Sequence, residues 1–159
     1  MHQKTILVPT DMRVASLNTL RLALEQVDEP AVDVVLLYCE TLDDSITELL
    51  FYSPKRTLQE ALTDDFRDAV SILMNRFGSK IRTLRIELFH GHAQSAFNDR
   101  LATLRIDAIY VSPSYRLHLT GRAFDPHRYI SKCPVPCHEV AGDRPLTVLE
   151  EDRLENLFL

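Results

Sequence analysis

The chain has 159 residues, of which 45% are hydrophobic and 26% charged, and its formal net charge is −5. These figures predict a single globular domain. They argue against a nucleic-acid binder, which needs a basic surface, and against a membrane-spanning protein, since no apolar run approaches about 20 residues. The presence of only three cysteines, and of a strand-like run directly after residue 4 where a signal peptide would lie, favours a reduced, cytoplasmic protein.

The first third of the chain predicts a strand, a helix and a second strand. Residues 5–9 are a short apolar run, which is typical of a strand buried on both faces. Apolar residues at steps of three and four over 17–27 predict a helix, which we expect Ser16 to cap. The apolar run at 34–39 predicts the second buried strand.

The same signals continue through the rest of the chain. Thr57 with Glu60 matches a capping box, so we expect one helix over 58–77 that Gly78 stops. The later elements are a strand at 84–89, a helix at 93–104, a strand at 108–111, a short helix at 127–132 and a last strand at 134–140.

Alternating strands and helices predict an α/β domain with a parallel sheet and helices on both faces. The more apolar strands belong in the middle, whereas the third strand alternates in polarity and the last contains two prolines, as edge strands do. With right-handed crossovers, these assignments predict an open five-stranded sheet of order 3-2-1-4-5. We assign residues 1–142 to this domain and residues 143–159 to a C-terminal helical extension.

The sequence resembles the universal stress protein family over about residues 3–140. Four pieces carry the resemblance: ILVPTD at 6–11, FHGHA at 89–93, DAIYVS at 107–112 and CPVP at 133–136. It implies the same 3-2-1-4-5 sheet, Rossmann-like and of the adenine nucleotide alpha hydrolase type. It also implies a homodimer paired along the last strand and, in nucleotide-binding members, a glycine loop after strand four.

The glycines of that loop are missing from this chain. Ser112, Tyr115, Asp125 and Pro126 stand at the four motif positions. Asp125 would set a carboxylate beside a phosphate, a repulsion worth about 4 kcal/mol at ~4 Å. Pro126 lacks a main-chain donor and Tyr115 is bulky where close approach is needed. We therefore expect no ATP bound in the family's manner.

Other positions of the family's nucleotide site are better kept. Asp11 resembles a ribose or metal contact, although Asp is equally common as a turn or helix-entry residue. Cys39 matches the strand-two position whose backbone meets adenine. Basic residues in the 112–132 loop form either an anion site or a solvated surface. A nucleotide-like ligand, if one binds, would contact Pro9, Thr10, Asp11, Cys39, Gly91, Ser112, Tyr115, Arg116, Arg122, His127 and Arg128.

The residues that could support metal binding or hydrolysis do not form a known pattern. Cys133, Cys137 and His138 fit no standard zinc spacing, and an extended segment would hold the two thiols ~13 Å apart. The chain has no G-x-S-x-G motif for a nucleophilic serine. We expect no catalytic residues, no metal and no cofactor.

Two hypotheses for function follow. The first is a non-enzymatic universal-stress-like module that forms a homodimer and contacts an unidentified protein partner, with no nucleic acid and no membrane. Its dimer contact is the last strand or, since Pro134 and Pro136 weaken that edge, the apolar face of the tail. The alternative is a stress protein that binds ATP, AMP or another phosphate ligand through Asp11 and the basic 112–132 loop. An enzyme on the same scaffold ranks last.

Overall fold

The computed structural model describes residues 3–41 and 53–140. Its strands are β1 (Thr5–Pro9), β2 (Val32–Glu40), β3 (Ile81–His90), β4 (Ala108–Val111) and β5 (Cys137–Glu139). Its helices are α1 (Leu17–Gln26), α2 (Pro54–Ala61), α3 (Asp64–Arg76), α4 (Gln94–Thr103) and α5 (His127–Ile130), and a 3-10 turn at Val14–Ser16 precedes α1. The tail at 143–159 and its predicted boundary lie outside the described residues.

The strands form one parallel sheet in the order β3-β2-β1-β4-β5, which confirms the predicted topology. β1 stops at Pro9, opposite Leu37, whereas β2 continues to Glu40 and stays paired there with β3. The winding direction switches between β1 and β4, so the carboxyl ends of the central strands open onto one crevice.

An apolar layer covers each face of the sheet. Helices α1 and α3 cover one face, where the buried residues include Ile6, Val8, Leu20, Leu36, Phe66 and Leu73. Helices α4 and α5 cover the other, where they include Leu7, Val35, Leu37, Phe97, Leu101 and Ile130. Burying each such side chain contributes about 1.5–3 kcal/mol to the stability of the fold, so the sheet holds the ends of its strands in fixed positions. Among the described residues, no helix has the length and apolar character needed to cross a membrane.

The single helix expected over 58–77 is wrong, because this segment holds two helices. The first, α2, begins at Pro54, where the Ser53 hydroxyl oxygen accepts the main-chain N–H of Arg56 at 3.3 Å. Thr57 lies inside α2 with its N–H bonded to the Ser53 carbonyl, so the predicted capping box is wrong as well.

The second helix, α3, has its own cap. The Thr63 hydroxyl oxygen accepts the main-chain N–H of Phe66 at 3.1 Å. Asp64 and Asp65 occupy the first turn, where negative charge suits the helix dipole. The helix ends at Arg76, close to the predicted stop at Gly78.

Ser16 does not cap α1 with its side chain, contrary to the prediction. Its hydroxyl donates to the Arg13 carbonyl at 2.8 Å and lies 2.8 Å from the Thr10 hydroxyl. The side chain is used to fold the turn between β1 and α1, and it is therefore not free to accept a helical N–H.

The last strand is shorter than the predicted 134–140 and lies at the sheet edge as expected. Only Cys137–Glu139 pairs with β4 as a strand. Pro136 precedes it and still contributes, because its carbonyl accepts the N–H of Ile109 at 2.9 Å. A proline can accept a ladder hydrogen bond although it cannot donate one.

Candidate functional site

Asp11, directly after the central strand β1, is the centre of the candidate site. Its Oδ1 accepts the main-chain N–H of Arg13 at 3.0 Å. Its Oδ2 accepts the Tyr115 hydroxyl at 2.7 Å and the main-chain N–H of His118 at 2.8 Å. The residue is only 8% exposed, and a carboxylate so buried requires such donors. Asp11 is therefore a turn residue, one of the two expected roles, and it also anchors a loop about one hundred residues away in the sequence.

The turn that presents Asp11 is rigid. The Thr10 hydroxyl oxygen accepts the main-chain N–H of Met12 at 3.0 Å. Met12 has φ 64, in the left-handed region that costs a non-glycine residue on the order of 1 kcal/mol. Its side chain is buried in the core, which offsets that cost. The Asp11 carboxylate is thus held in one direction.

The loop that follows β4, residues 112–126, closes over the ends of β1 and β2. The Thr41 N–H donates to the Arg122 carbonyl at 2.8 Å, and the Phe124 N–H donates to the Cys39 carbonyl at 3.0 Å. The residues between these two pairs form an antiparallel bridge. The main-chain carbonyl of Cys39 is therefore already bonded within the chain.

Phe124 also brings its ring into an aromatic cluster that comprises Phe89, Phe97, Phe124 and Tyr129. The Phe124 ring centroid lies 6.2 Å from that of Phe89 and 6.0 Å from that of Tyr129, both edge to face. Phe89 meets Phe97 at 5.2 Å. Each such pair is worth about 0.5–1.5 kcal/mol beyond burial. Sequence reasoning missed Phe124, whose only signal is that it is an aromatic residue within a polar loop.

Gly91, after β3, supports this cluster. Its φ is 144, and a Cβ at this position would lie 3.3 Å from the Phe89 ring. The left-handed conformation and the close ring both favour glycine here. The sequence singled out Gly91 for ligand contact, and the structure places it beside the aromatic cluster.

The basic residues expected in the site lie on the surface. Arg116, Arg122, His127 and Arg128 are all exposed. The Arg128 guanidinium lies 4.8 Å from the centre of the Tyr129 ring and donates to its hydroxyl at 2.8 Å. The Ser112 hydroxyl lies 3.2 Å from that of a neighbouring serine, and Pro9 ends β1 with Thr10 directly after it. A ligand role for these residues stays a prediction.

Asp125 has a local partner. Its Oδ1 accepts the main-chain N–H of His127 at 2.9 Å, at the start of α5. The carboxylate thus takes up a donor at the beginning of the helix that follows the loop, where the family's motif would hold a phosphate.

A cavity of about 570 Å³ opens beside Asp11, a size that suits a small-molecule ligand. The polar residues that line it are Asp11, Arg13, Thr63, Asp65, Tyr38, Tyr115, His118 and Thr120. Burial and the nearby Glu40 carboxylate raise the pKa of Tyr38 to about 12, so its phenol stays protonated at neutral pH. The lining contains the two carboxylates of Asp11 and Asp65 and the one guanidinium of Arg13. The exposed basic residues of the 112–132 segment named above are not among the lining residues that the structure describes.

The three cysteines are free, and the surroundings of two of them disfavour the thiolate. Burial raises the pKa of the Cys39 thiol, which disfavours the nucleophilic thiolate. Cys133 and Cys137 are free, and burial also raises the pKa of Cys137. Within residues 3–41 and 53–140, no three His, Cys, Asp or Glu side chains gather closely enough to hold a metal ion.

Comparison with known proteins gives a likeness in structure only. No protein-family model and no curated protein matches the chain. The universal stress protein UspA from Lactobacillus plantarum is 16% identical, with a TM-score of 0.52 over 88% of this chain and 99% of that one. The hypothetical protein MJ0577 is 18% identical, with a TM-score of 0.55 over 92% and 100%. The hypothetical protein PH0823 is 16% identical, with a TM-score of 0.53 over 86% and 94%.

The sheet order, the helices on both faces and the crevice between β1 and β4 define an open, Rossmann-like α/β domain. The likeness to UspA of Lactobacillus plantarum over nearly the whole of both chains is more specific. The chain has the universal stress protein fold, and the predicted resemblance is confirmed at that level. Because a fold does not fix a function, the function is argued from the site.

Proposed function

We propose that this protein is a universal-stress-like module without catalytic activity, which works as a homodimer and through contacts with another protein, and which does not bind ATP in the family's usual manner. The observation that carries this proposal is the commitment of the Asp11 carboxylate to Tyr115 and His118. A ribose or metal that used Asp11 would have to displace both donors.

The loop between β4 and α5 supports the same proposal. Phosphates are commonly held by bare main-chain N–H groups and by the N-terminus of a helix. In this loop Gly121 is the one glycine, and its φ of 59 serves a turn. Helix α5 has four residues, and the Asp125 carboxylate already accepts the N–H of its first residue. Neither a glycine-rich main chain nor the N-terminus of α5 is therefore available to bind a triphosphate.

The outer edge of β5 supports the homodimer. The Gln26 side-chain amide donates to the Glu139 carbonyl on this edge at 3.4 Å, a bond that a partner strand would replace. All three residues of β5 are exposed, and only β4 pairs with this strand among the described residues. Two copies related by a twofold axis would pair β5 with β5, a self-complementary contact that covers both edges. The tail at 143–159 is the alternative contact.

Titration calorimetry with ATP, AMP and a cyclic nucleotide tests the ligand part of the proposal. We expect no saturable heat with ATP up to millimolar concentration, because the crevice lacks phosphate donors. Micromolar ATP affinity that Asp11→Ala abolishes would contradict the proposal, provided that Asp99→Ala, which removes an exposed carboxylate on α4, leaves that affinity unchanged.

The cavity beside Asp11 favours a second candidate function, the binding of a smaller ligand such as AMP or another phosphorylated metabolite. The volume of about 570 Å³ suits a small molecule, and Arg13 supplies one positive charge for a phosphate, against the two carboxylates of Asp11 and Asp65 in the same lining. The same calorimetry separates the two candidates, because AMP heat without ATP heat would favour the second.

A further inference from the structure

We propose that the end of β2 is a docking site for an extended peptide that carries an aromatic side chain, and that the chain fills this site in cis with its own residues 122–124. We call these three residues the plug. This inference rests on the proposed function, since it names the kind of protein segment through which the module makes contact.

The site exists because β2 extends further than the neighbouring strand β1. β1 ends opposite Leu37, and the N–H of Thr10 makes the last contact there, with the Leu37 carbonyl at 2.9 Å. From residue 38 onward, the edge of β2 that faces away from β3 has no β1 partner. An unpaired strand edge offers main-chain donors and acceptors to any extended segment.

The plug uses this edge as a bound peptide would. It runs antiparallel to β2 and exchanges hydrogen bonds with the main-chain groups of Cys39 and Thr41. Main-chain bonds of this kind provide affinity without selecting sequence. The selective element is the ring of Phe124, which is half-buried against Phe89 and Tyr129 in the aromatic cluster.

An open turn joins the plug to the rest of the loop. Gly121 turns the chain just before it, and a side chain at that position would touch nothing within 4 Å, so the turn is open to solvent. On the far side of the turn, the loop is tied down by the Tyr115 hydroxyl on Asp11. Besides the main-chain bonds to Cys39 and Thr41, two side-chain anchors hold the plug and its loop, the Phe124 ring and the Tyr115 hydroxyl.

A peptide copy of the plug tests the docking site directly. The probe is a labelled seven-residue peptide with the sequence of residues 120–126, TGRAFDP, and its control has alanine in place of phenylalanine. Binding to the full chain is measured by fluorescence anisotropy. We expect Phe124→Ala to bind the phenylalanine peptide at least about ten-fold more tightly than the unmodified protein does, because a tethered competitor acts at about millimolar effective concentration.

Two further variants keep the test decisive. Tyr115→Phe removes one hydroxyl without changing the shape of the ring, so it weakens the second anchor even if Phe124→Ala fails to fold. We expect it to bind the peptide with intermediate affinity. Leu119→Ala, at an exposed residue of the same loop, should behave as the unmodified protein. Equal binding of the two peptides, or no binding by the folded anchor variants, would overturn the inference.

Amide hydrogen exchange supplies a readout without any peptide. In both the Phe124→Ala and the Tyr115→Phe variant, we expect the exchange rates of the amides at positions 41 and 124 to rise about 10- to 100-fold. The exchange rates of the Val34 and Leu36 amides, in the middle of β2, should stay unchanged. An equal rise at all these amides would show that the plug is not a separate unit and would refute the inference. ATP binding by the unmodified protein would refute the proposed function instead, so the two failures are distinguishable.

Discussion

A buried carboxylate is stable only when enough donors surround it, and the two buried aspartates among the described residues find them differently. Asp11 takes its donors from its own turn and from the distant 112–126 loop. Asp33 takes its donors from the neighbouring strand β3, where Arg82 and Thr83 bond its two oxygens. The first contact positions the candidate site, and the second holds two strands of the sheet together.

Asp33 leads to a prediction about stability and pH. Burial alone would raise its pKa, but the hydrogen bonds from Arg82 and Thr83 and the guanidinium charge outweigh burial and hold the pKa below its usual value. A depressed carboxyl pKa contributes stability that is complete above the unfolded-state pKa of about 3.9 and is lost as pH falls through the folded-state pKa. Asp33→Asn should lower the free energy of unfolding by about 1–2 kcal/mol at pH 7.

Urea unfolding at pH 7 and at progressively lower pH checks this prediction. The difference between Asp33→Asn and the unmodified protein should shrink as pH falls below about 4 and through the folded-state pKa of Asp33, because the carboxyl group is protonated first in the unfolded and then in the folded state. Asp68→Asn, at an exposed carboxylate on α3, serves as the control. A difference that is absent at pH 7, or that does not change with pH, would contradict the prediction.

At the scale of elements, the sequence predicted the strands that can be recognised from the apolar pattern of their own residues. The apolar runs of β1, β2 and β4 and the alternating polarity of β3 were sufficient to predict these strands, because each pattern follows from which faces of the strand are buried. The break between α2 and α3 was missed for a physical reason. Leu58, Leu62 and Phe66 keep four-residue spacing across it, so the apolar pattern continues although the backbone at Leu62 is extended.

The 112–126 loop was beyond sequence reasoning for a different reason. The bond between the Phe124 N–H and the Cys39 carbonyl joins two main-chain groups, and such groups are the same in every residue type. The Tyr115 hydroxyl reaches Asp11 across 104 positions of the sequence. The chain indicated that the glycines of the loop were missing, but nothing in it indicated what replaces them.

The two helix caps lead to the prediction at this scale. Thr63→Ala should lower the free energy of unfolding by about 1 kcal/mol, because α3 carries fully buried residues such as Phe66 and its cap is part of the cooperative core. Ser53→Ala is the matched comparison on α2, which has no buried residue, and it should cost less. Urea unfolding measures both variants, and a Thr63→Ala protein as stable as the unmodified one would contradict this expectation.

For the whole molecule, the outer edge of β5 is the main feature that bears on assembly. The Val140 N–H donates to the Val111 carbonyl of β4 at 2.9 Å. Because alternate residues of a strand direct their N–H groups to the same side, the Glu139 N–H points away from β4. A proline at that position would remove a donor from the outer edge and leave the bonds to β4 intact.

Light scattering therefore gives a sharp prediction. The full chain should have about twice its 18.2 kDa mass, Glu139→Pro should reduce the mass to that of one copy, and Glu139→Ala should remain a dimer. If Glu139→Pro stays dimeric, the tail at 143–159 is the contact, and its deletion should then give single copies. A full-length protein of single mass would refute the homodimer.

The cis plug has a consequence for what the module can sense. A tethered occupant has a fixed local concentration, so the filling of the β2 edge does not depend on the cellular concentration of a free ligand. Only a molecule that competes with the plug for the β2 edge changes this occupancy. At this edge, a module of this construction would respond to the arrival of a particular protein partner.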